Sequence, residues 1–354
     1  MIGEVIFQYR KRNGLSLKEL SHKTGIDQTL ISRIEKDKRL PTEKQLSQFS
    51  EALLIERDLL EKELLTDKVL NLIKYSPMAH EVLQVAESRI EYLTKKDIYA
   101  VAELSADLKK LIEKAEKLKR EWQEKLPLNS TQQKKINEYF DVAYTFESNR
   151  IEGNTLTLQE TMLVAVEGLT IGGKSLNEHL EAVNHQDAIS FVRDLATNKE
   201  PISKRVLMEI HRLVLKEIDS DNAGIYRRVP VRITGSQHEP PQPFLLEKLM
   251  EDFFRFYSYQ HRKIHPIILA AEAHERLVSI HPFIDGNGRT ARLLMNLVLA
   301  REGYPRVNIK GDLQSRLNYY QCLEKVQVDN DRVPFYKLVI NEAIRSLEEH
   351  LELV

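Results

Sequence analysis

Cysteine, tryptophan and long apolar runs are scarce in this sequence of 354 residues. Cys322 is the only cysteine, so the chain can form neither an internal disulfide nor a thiolate metal cluster. No stretch approaches the roughly 18 uncharged apolar residues of a membrane-spanning helix, and the N-terminus lacks the apolar core of a signal peptide. We therefore expect a cytoplasmic protein with no membrane partner.

The whole chain has no excess of positive or negative charge, because its formal net charge is -1. The first 42 residues differ, because nine Lys and Arg stand there against five Asp and Glu. Such a local surplus suits a weak attraction to phosphates. The length allows two or three domains.

Helical periodicity runs through most of the sequence and predicts an all-α protein. Short amphipathic segments at 1–60 indicate one small domain. Residues 61–125, poor in Pro and Gly, predict long helices that act as a linker or dimerisation arm. Further helical segments follow at 126–200 and 201–345. A short β-prone piece at 229–234 predicts an edge hairpin that the next prolines end.

Residues 16–35 have the pattern of two short helices joined by a tight turn. Ser16 and Glu19 form a capping box that starts the first helix. A helix-turn-helix needs a small residue in its first helix, a glycine in the turn and a buried aliphatic residue in its second helix. Ser21, Gly25 and Ile31 stand at these three positions.

Over about residues 3–56 the chain resembles the Cro/lambda-repressor-like helix-turn-helix family. The resemblance implies that residues 1–60 bind DNA with the second helix in the major groove. The modest basic surplus favours a homodimer over a monomer. A helical domain used only for protein contacts is the alternative. The resemblance implies base contacts by Gln28, Thr29 and Arg33, and phosphate contacts by Lys36, Lys38 and Arg39.

The run His-Pro-Phe-Ile-Asp-Gly-Asn-Gly-Arg-Thr-Ala-Arg at residues 281–292 gathers groups suited to phosphate chemistry. Gly286 and Gly288 allow successive N–H groups to turn inward as an anion nest. Apolar, helix-forming residues follow, so the nest lies at a helix N-terminus, where the helix dipole favours anions. Arg289 and Arg292 are three positions apart, so both can reach one polyphosphate.

A base and a hard carboxylate complete this run. Asp285 is the kind of ligand that Mg²⁺ on a phosphate needs, and His281 can accept a proton near neutral pH. A nucleotide beside a base indicates attack by a hydroxyl on phosphorus. No Gly-Lys-Ser/Thr follows a strand pattern, which disfavours a P-loop ATPase.

The run matches, without a departure, the His-x-Phe-x-Asp-Gly-Asn-Gly-Arg-x-x-Arg signature of the Fic-domain protein adenylyltransferases, which the chain resembles over about 126–345. The resemblance implies a helical Fic fold with a small β-hairpin flap, with N-terminal helices at 126–200 and a catalytic core at 201–345. It implies transfer of AMP from ATP to a Ser, Thr or Tyr hydroxyl of a target protein or of the chain itself, with release of pyrophosphate.

The same resemblance implies roles for the matched residues. His281 would be the general base, Asp285 would hold Mg²⁺, and Arg292 would bind the γ-phosphate of ATP. The other phosphate contacts would come from Gly286, Asn287, Gly288 and Arg289.

Two further segments resemble the family more loosely. In a flap at 231–236 that pairs with the target, Thr234 and Gly235 would lie beside the nucleotide. Tyr319 and Tyr320 resemble a segment in which a tyrosine lines the adenine pocket, although ordinary helix packing explains them equally well.

The run Ser-Asn-Arg-Ile-Glu-Gly at 148–153 resembles the Fic inhibitory pattern, Ser/Thr-x-x-x-Glu-Gly/Asn. Glu152 ends a predicted helix, where the dipole disfavours a carboxylate unless a cation meets it. The resemblance implies that Glu152 pairs bidentately with Arg292, near Ser148, so that ATP binds unproductively. A solvated glutamate at an ordinary helix end is the alternative.

The sequence is also compatible with other functions. The chain could be a transcriptional regulator whose Fic domain senses nucleotide, or an enzyme that transfers UMP or phosphocholine. Glu152 could orient a water that removes AMP from a modified protein. A toxin-like role, silenced by Glu152, is a further alternative.

Overall fold

The computed structural model describes residues 1–94 and 98–354, and none of these residues forms a β-strand. The chain divides into two units, Met1–Thr94 and Lys95–Val354. In the described part of the chain, no helix is both long and apolar enough to cross a bilayer.

The first unit contains a helix-turn-helix at α2 and α3. Its helices are α1 (Ile2–Arg12), α2 (Leu17–Thr24), α3 (Gln28–Glu35), α4 (Glu43–Leu53), α5 (Arg57–Ile73) and α6 (Ala79–Thr94). The predicted capping box of Ser16 and Glu19 is present at the start of α2. Gly25 ends α2 in the left-handed conformation, and Ile31 is fully buried. These three local predictions are confirmed.

A buried ion pair fixes the direction of α3. Arg10 on α1 donates from Nε and Nη2 to both carboxylate oxygens of Glu35, at 2.5 and 2.7 Å. Both side chains are about 6% exposed. Such a bidentate pair has one preferred geometry, so it fixes the angle between α1 and α3.

The second unit surrounds one largely buried helix. Its helices are α7 (Ala106–Glu124), α8 (Ser130–Ile151), α9 (Leu158–Ala165), α10 (Leu176–Thr197), α11 (Lys204–Leu215), α12 (Leu246–Gln260), α13 (Pro266–Ile280), α14 (Asn287–Arg301), α15 (Leu313–Asp329) and α16 (Val333–Leu351). Helix α14 is buried on all sides over most of its length and packs against α10, α11 and α13. Its apolar side chains, among them Leu293, Leu294 and Leu297, fill the core, and its buried polar side chains Arg289, Arg292 and Asn296 are hydrogen-bonded there.

Residues 61–125, which we predicted to be a linker or arm, are divided between the units, because α7 packs on α16 with Ala115 and Trp122 in the second core. The β-hairpin flap is not present among the described residues. The β-prone residues 229–234 have no strand partner there, and the Arg227 side chain binds the carbonyl groups of Val229 and Pro241 on either side of them.

Candidate active site

The loop between α13 and α14 carries the run predicted to bind phosphates. His281 ends α13 in the left-handed conformation, at φ 50° and ψ 57°, and Gly286 repeats that conformation at φ 73° before α14. The Asn287 side chain accepts from Phe283 N at 3.0 Å and donates to Phe283 O at 2.9 Å. This side chain therefore braces the loop, and only its backbone N–H is left for a phosphate.

His281 has the protonation state of a base. Its Nδ1 donates to Val278 O at 3.2 Å, which leaves Nε2 without a proton. Burial lowers the pKa of His281 to about 4, assisted by the positive potential of Arg227. The imidazole is therefore neutral at pH 7 and can accept a proton through Nε2.

His211 on α11 holds the middle of the loop. Its ring stacks on Phe283 with centroids 3.6 Å apart. Nδ1 accepts from Gly224 N, so Nε2 carries the proton and donates to Asp285 O at 2.9 Å. Burial lowers the pKa of His211 to about 4, which keeps this tautomer neutral. The Asp285 carboxylate stays 66% exposed at the mouth of the loop.

The first turn of α14 forms the anion nest. The N–H groups of Asn287, Gly288 and Arg289 lie in the first turn, where no helical carbonyl can accept from them. A Cβ added to Gly288 would collide with Glu152 Oε1. A carboxylate from α8 therefore lies against the surface predicted to receive phosphates.

Arg292 is 1% exposed and is held by α8. Its Nη2 donates to Glu152 Oε1 at 2.6 Å and to Ser148 O at 2.9 Å, and its Nε donates to Ser148 Oγ at 3.0 Å. Only one oxygen of Glu152 takes part. The predicted bidentate geometry of this pair is therefore wrong, because the other donors of the guanidinium go to Ser148 and, from Nη1, to the Tyr319 hydroxyl.

Electrostatics favour the charged form of both partners. Burial alone would raise the pKa of Glu152, but Arg292, and after it Arg289, outweigh burial and hold that pKa below its ordinary value. Burial likewise opposes the charge on Arg292, and Glu152 raises the pKa of Arg292 above its usual range. The pair is thus ionised at neutral pH.

Arg289 has a carboxylate partner that the sequence did not indicate. Glu181 on α10 accepts from Arg289 Nη1 at 3.0 Å, and Asp285 accepts from Nη2 at 3.4 Å. Glu181 also accepts from Asn154, two residues after Glu152. Both arginines of the run are therefore paired with carboxylates, at positions 181 and 152.

The two tyrosines have different surroundings. Tyr319 is buried, with its hydroxyl 3.1 Å from His274 Nε2 and 3.5 Å from Arg292 Nη1, so it supports the arginine, and its place in an adenine pocket stays a prediction. Tyr320 is 40% exposed and donates to Ile151 O at 3.0 Å, at the end of α8.

The segment at 229–241 lies beside the catalytic loop. His238 Nε2 donates to Ser279 O at 2.8 Å, and Gln237 N donates to Glu324 Oε1 at 3.3 Å. Thr234 and Gly235 are exposed at a turn, where Gly235 has φ 81°. Their predicted place beside the nucleotide stays a prediction.

The residues predicted to contact DNA share one exposed surface of the first unit. All belong to α3 or to the turn after it, and none is buried: Gln28, Thr29, Arg33, Lys36, Lys38 and Arg39. Asp27 caps α3 by accepting from the N–H of Thr29 and Leu30. The face is thus available to a partner.

Comparisons with known proteins agree with both units. Residues 201–299 match the model of the Fic/DOC family, and residues 6–60 match a helix-turn-helix family. A curated relative, "Protein adenylyltransferase Fic" of Drosophila persimilis, is 39% identical over 209 residues, 59% of this chain. The match covers 40% of that relative's own length.

Solved structures match over more of the chain. A Fic-domain-containing signaling protein from Bacteroides thetaiotaomicron is 30% identical and has a TM-score of 0.61, covering 70% of this chain and 97% of its own. The solved piece of C. elegans Fic-1, amino acids 134–508 of that protein, is 26% identical with a TM-score of 0.63, and the match covers 99% of this chain and 98% of that piece. The chain therefore belongs to the Fic family and carries an N-terminal helix-turn-helix domain.

Proposed function

We propose that the chain is a protein adenylyltransferase, which transfers AMP from ATP to a Ser, Thr or Tyr hydroxyl of a target protein or of itself. The observation that carries the proposal is the position of Glu152. Its carboxylate lies against Gly288 and 2.6 Å from Arg292, which is where a terminal phosphate would find a nest and a cation. The first turn of a helix binds anions through its free N–H groups, and here the Glu152 carboxylate of the same chain lies against that turn.

The residues of the site suit in-line transfer at phosphorus. His281 Nε2 accepts the proton of the target hydroxyl, and the oxygen attacks the α-phosphorus. The bond to pyrophosphate breaks, and the first turn of α14 together with Arg289 and Arg292 balances the charge of the leaving group.

Asp285 suits a magnesium ion on the nucleotide. Its carboxylate is exposed, and the described residues contain no cluster of three metal-ligating side chains. Mg²⁺ usually takes one or two carboxylates and completes its shell with phosphates and water. Bound there, it would neutralise phosphate charge.

Glu152 would act as an inhibitor in the same chain, because Arg292 cannot pair with it and with the γ-phosphate at once. ATP would then bind with its phosphates displaced from the productive position. Ser148 would hold Arg292 in both states.

The test uses wild type, Glu152→Gly and the double variant Glu152→Gly/His281→Ala, each incubated with Mg²⁺ and ATP in a cell lysate. Label from the α-phosphate should be incorporated strongly by Glu152→Gly, weakly by wild type and not by the double variant, whereas label from the γ-phosphate, which the kinases of the lysate transfer, should be the same with all three. Glu167→Gly is the matched control, since this exposed glutamate also precedes a glycine after a helix. No label with Glu152→Gly would contradict the self-inhibition model.

Two further arms separate the alternatives. Intact mass spectrometry of the labelled protein distinguishes AMP from UMP or phosphocholine. Adding wild type to the labelled product tests whether Glu152 supports removal of AMP, which would appear as loss of label.

The first unit would bind DNA, as a homodimer, through the exposed face of α3. The match to a helix-turn-helix family and the exposure of Gln28 and Arg33 support this second function. Helix-turn-helix dimers read two half-sites about one helical turn apart. The cytoplasmic location stays a prediction.

A further inference from the structure

Arg227 is a buried cation that carbonyl oxygens compensate. It is 3% exposed, and burial lowers its pKa. Its guanidinium donates from Nε to His281 O at 2.8 Å, from Nη1 to Val229 O at 3.1 Å and from Nη2 to Pro241 O at 2.5 Å. A buried charge without a carboxylate is costly to keep, so its placement calls for a reason.

The three acceptors belong to two functional segments. His281 is the candidate base, and Val229 and Pro241 begin and end the segment that carries the predicted target-docking residues 231–236. The backbone of Arg227 also donates to Pro282 O at 2.9 Å. One residue therefore binds both peptide groups that flank Pro282 and both ends of the neighbouring segment.

The backbone of His281 needs such support. Its left-handed conformation is disfavoured for any residue with a side chain, and it persists only where the surroundings enforce it. The bond from His281 N to Leu277 O fixes one side of the residue, and Arg227 fixes the other.

We propose that Arg227 is a positioning residue that holds the base and both ends of segment 229–241 in one arrangement, so that a docked hydroxyl meets His281 Nε2. This inference rests on the proposed function, which it deepens by linking target docking to the base. Arginine is required because its planar fork presents donors in three fixed directions, whereas a lysine ammonium presents one compact charge.

The activity test compares Arg227→Lys, Arg227→Met and Arg228→Met, each in the Glu152→Gly background. Arg228 is the matched control, since it is the exposed neighbour. Both Arg227 variants should lose about a hundredfold in kcat, the typical effect of a misplacement of about 1 Å, while the Kd for ATP changes by less than about twofold. Arg228→Met should keep its kcat. Restoration by lysine, or an equal loss of ATP affinity, would overturn the proposal.

A second readout needs no activity. Local unfolding speeds proteolysis, so if segment 229–241 detaches, both Arg227 variants should be cut by trypsin after exposed Arg232 at least about tenfold faster than Arg228→Met at the same fraction folded. Unchanged cleavage overturns the positioning role. If the Arg227 variants are cut faster but Glu152→Gly transfers no AMP, the positioning role of Arg227 stands. The proposed function is then refuted.

Discussion

Replacing Glu152 with glutamine removes the negative charge beside Arg292 while keeping the side chain's shape. Breaking a fully buried ion pair costs about 3–5 kcal/mol. Glu152 is 31% exposed, and Arg292 keeps its bonds to Ser148, so we expect a smaller loss of about 2 kcal/mol. In a unit of 260 residues this lowers the Tm by about 4–8 °C.

ATP should reverse this loss. At a hundred times its Kd, a ligand stabilises a protein by about 2.7 kcal/mol, and in the variant its phosphates can pair with Arg292 directly. In wild type, part of that binding energy is spent in displacing Glu152. The Tm of Glu152→Gln should therefore rise more with ATP than the Tm of wild type.

The chain offers a convenient probe for this measurement. Trp122, its single tryptophan, is buried in the second unit against His350, so fluorescence follows the unfolding of that unit alone. The exposed Glu167→Gln serves as the control. Equal Tm values for wild type and Glu152→Gln, or equal gains with ATP, would refute the view that Glu152 holds Arg292.

The remaining predictions concern pH, the inhibitory contact and DNA. Because the base must be deprotonated, labelling by Glu152→Gly should stay level from about pH 8 to about pH 5 and fall only near the His281 pKa of about 4; a fall near the ordinary histidine pKa contradicts this. Tyr320→Phe removes the bond to the end of α8, worth about 0.5–1.5 kcal/mol, so wild-type labelling should rise about two- to tenfold, with no further rise in Glu152→Gly. In fluorescence anisotropy with a selected operator, Arg33→Ala should cost about 1–3 kcal/mol for that sequence, whereas Lys38→Ala should weaken all sequences alike and lower the salt slope by about one.

Local patterns predicted the elements that carry the site. The capping box at Ser16, the turn at Gly25 and the glycine-bracketed start of α14 each depend on residues within a few positions, so the sequence alone was enough. The pair of Glu152 and Arg292 is 140 positions apart, and only the family resemblance predicted it.

Partners that the fold brings together could not be predicted. Glu181 meets Arg289 across 108 positions, and His211 meets the Asp285 carbonyl across 74, with no local signal for either contact. The hairpin at 229–234 was expected from β-prone residues, but a strand requires a neighbouring backbone, and the carbonyl groups at 229 and 241 are bound by Arg227.

The contact between Glu152 and Gly288 has a consequence for how the chain would respond to its surroundings. The competing carboxylate is covalently part of the protein, so dilution cannot remove it, and its effective concentration at α14 is set by the fold. Nucleotide gains the nest only when its own concentration outweighs that internal value. The nucleotide concentration that half-fills the nest would therefore be higher than in a chain without Glu152, by a factor that the fold sets.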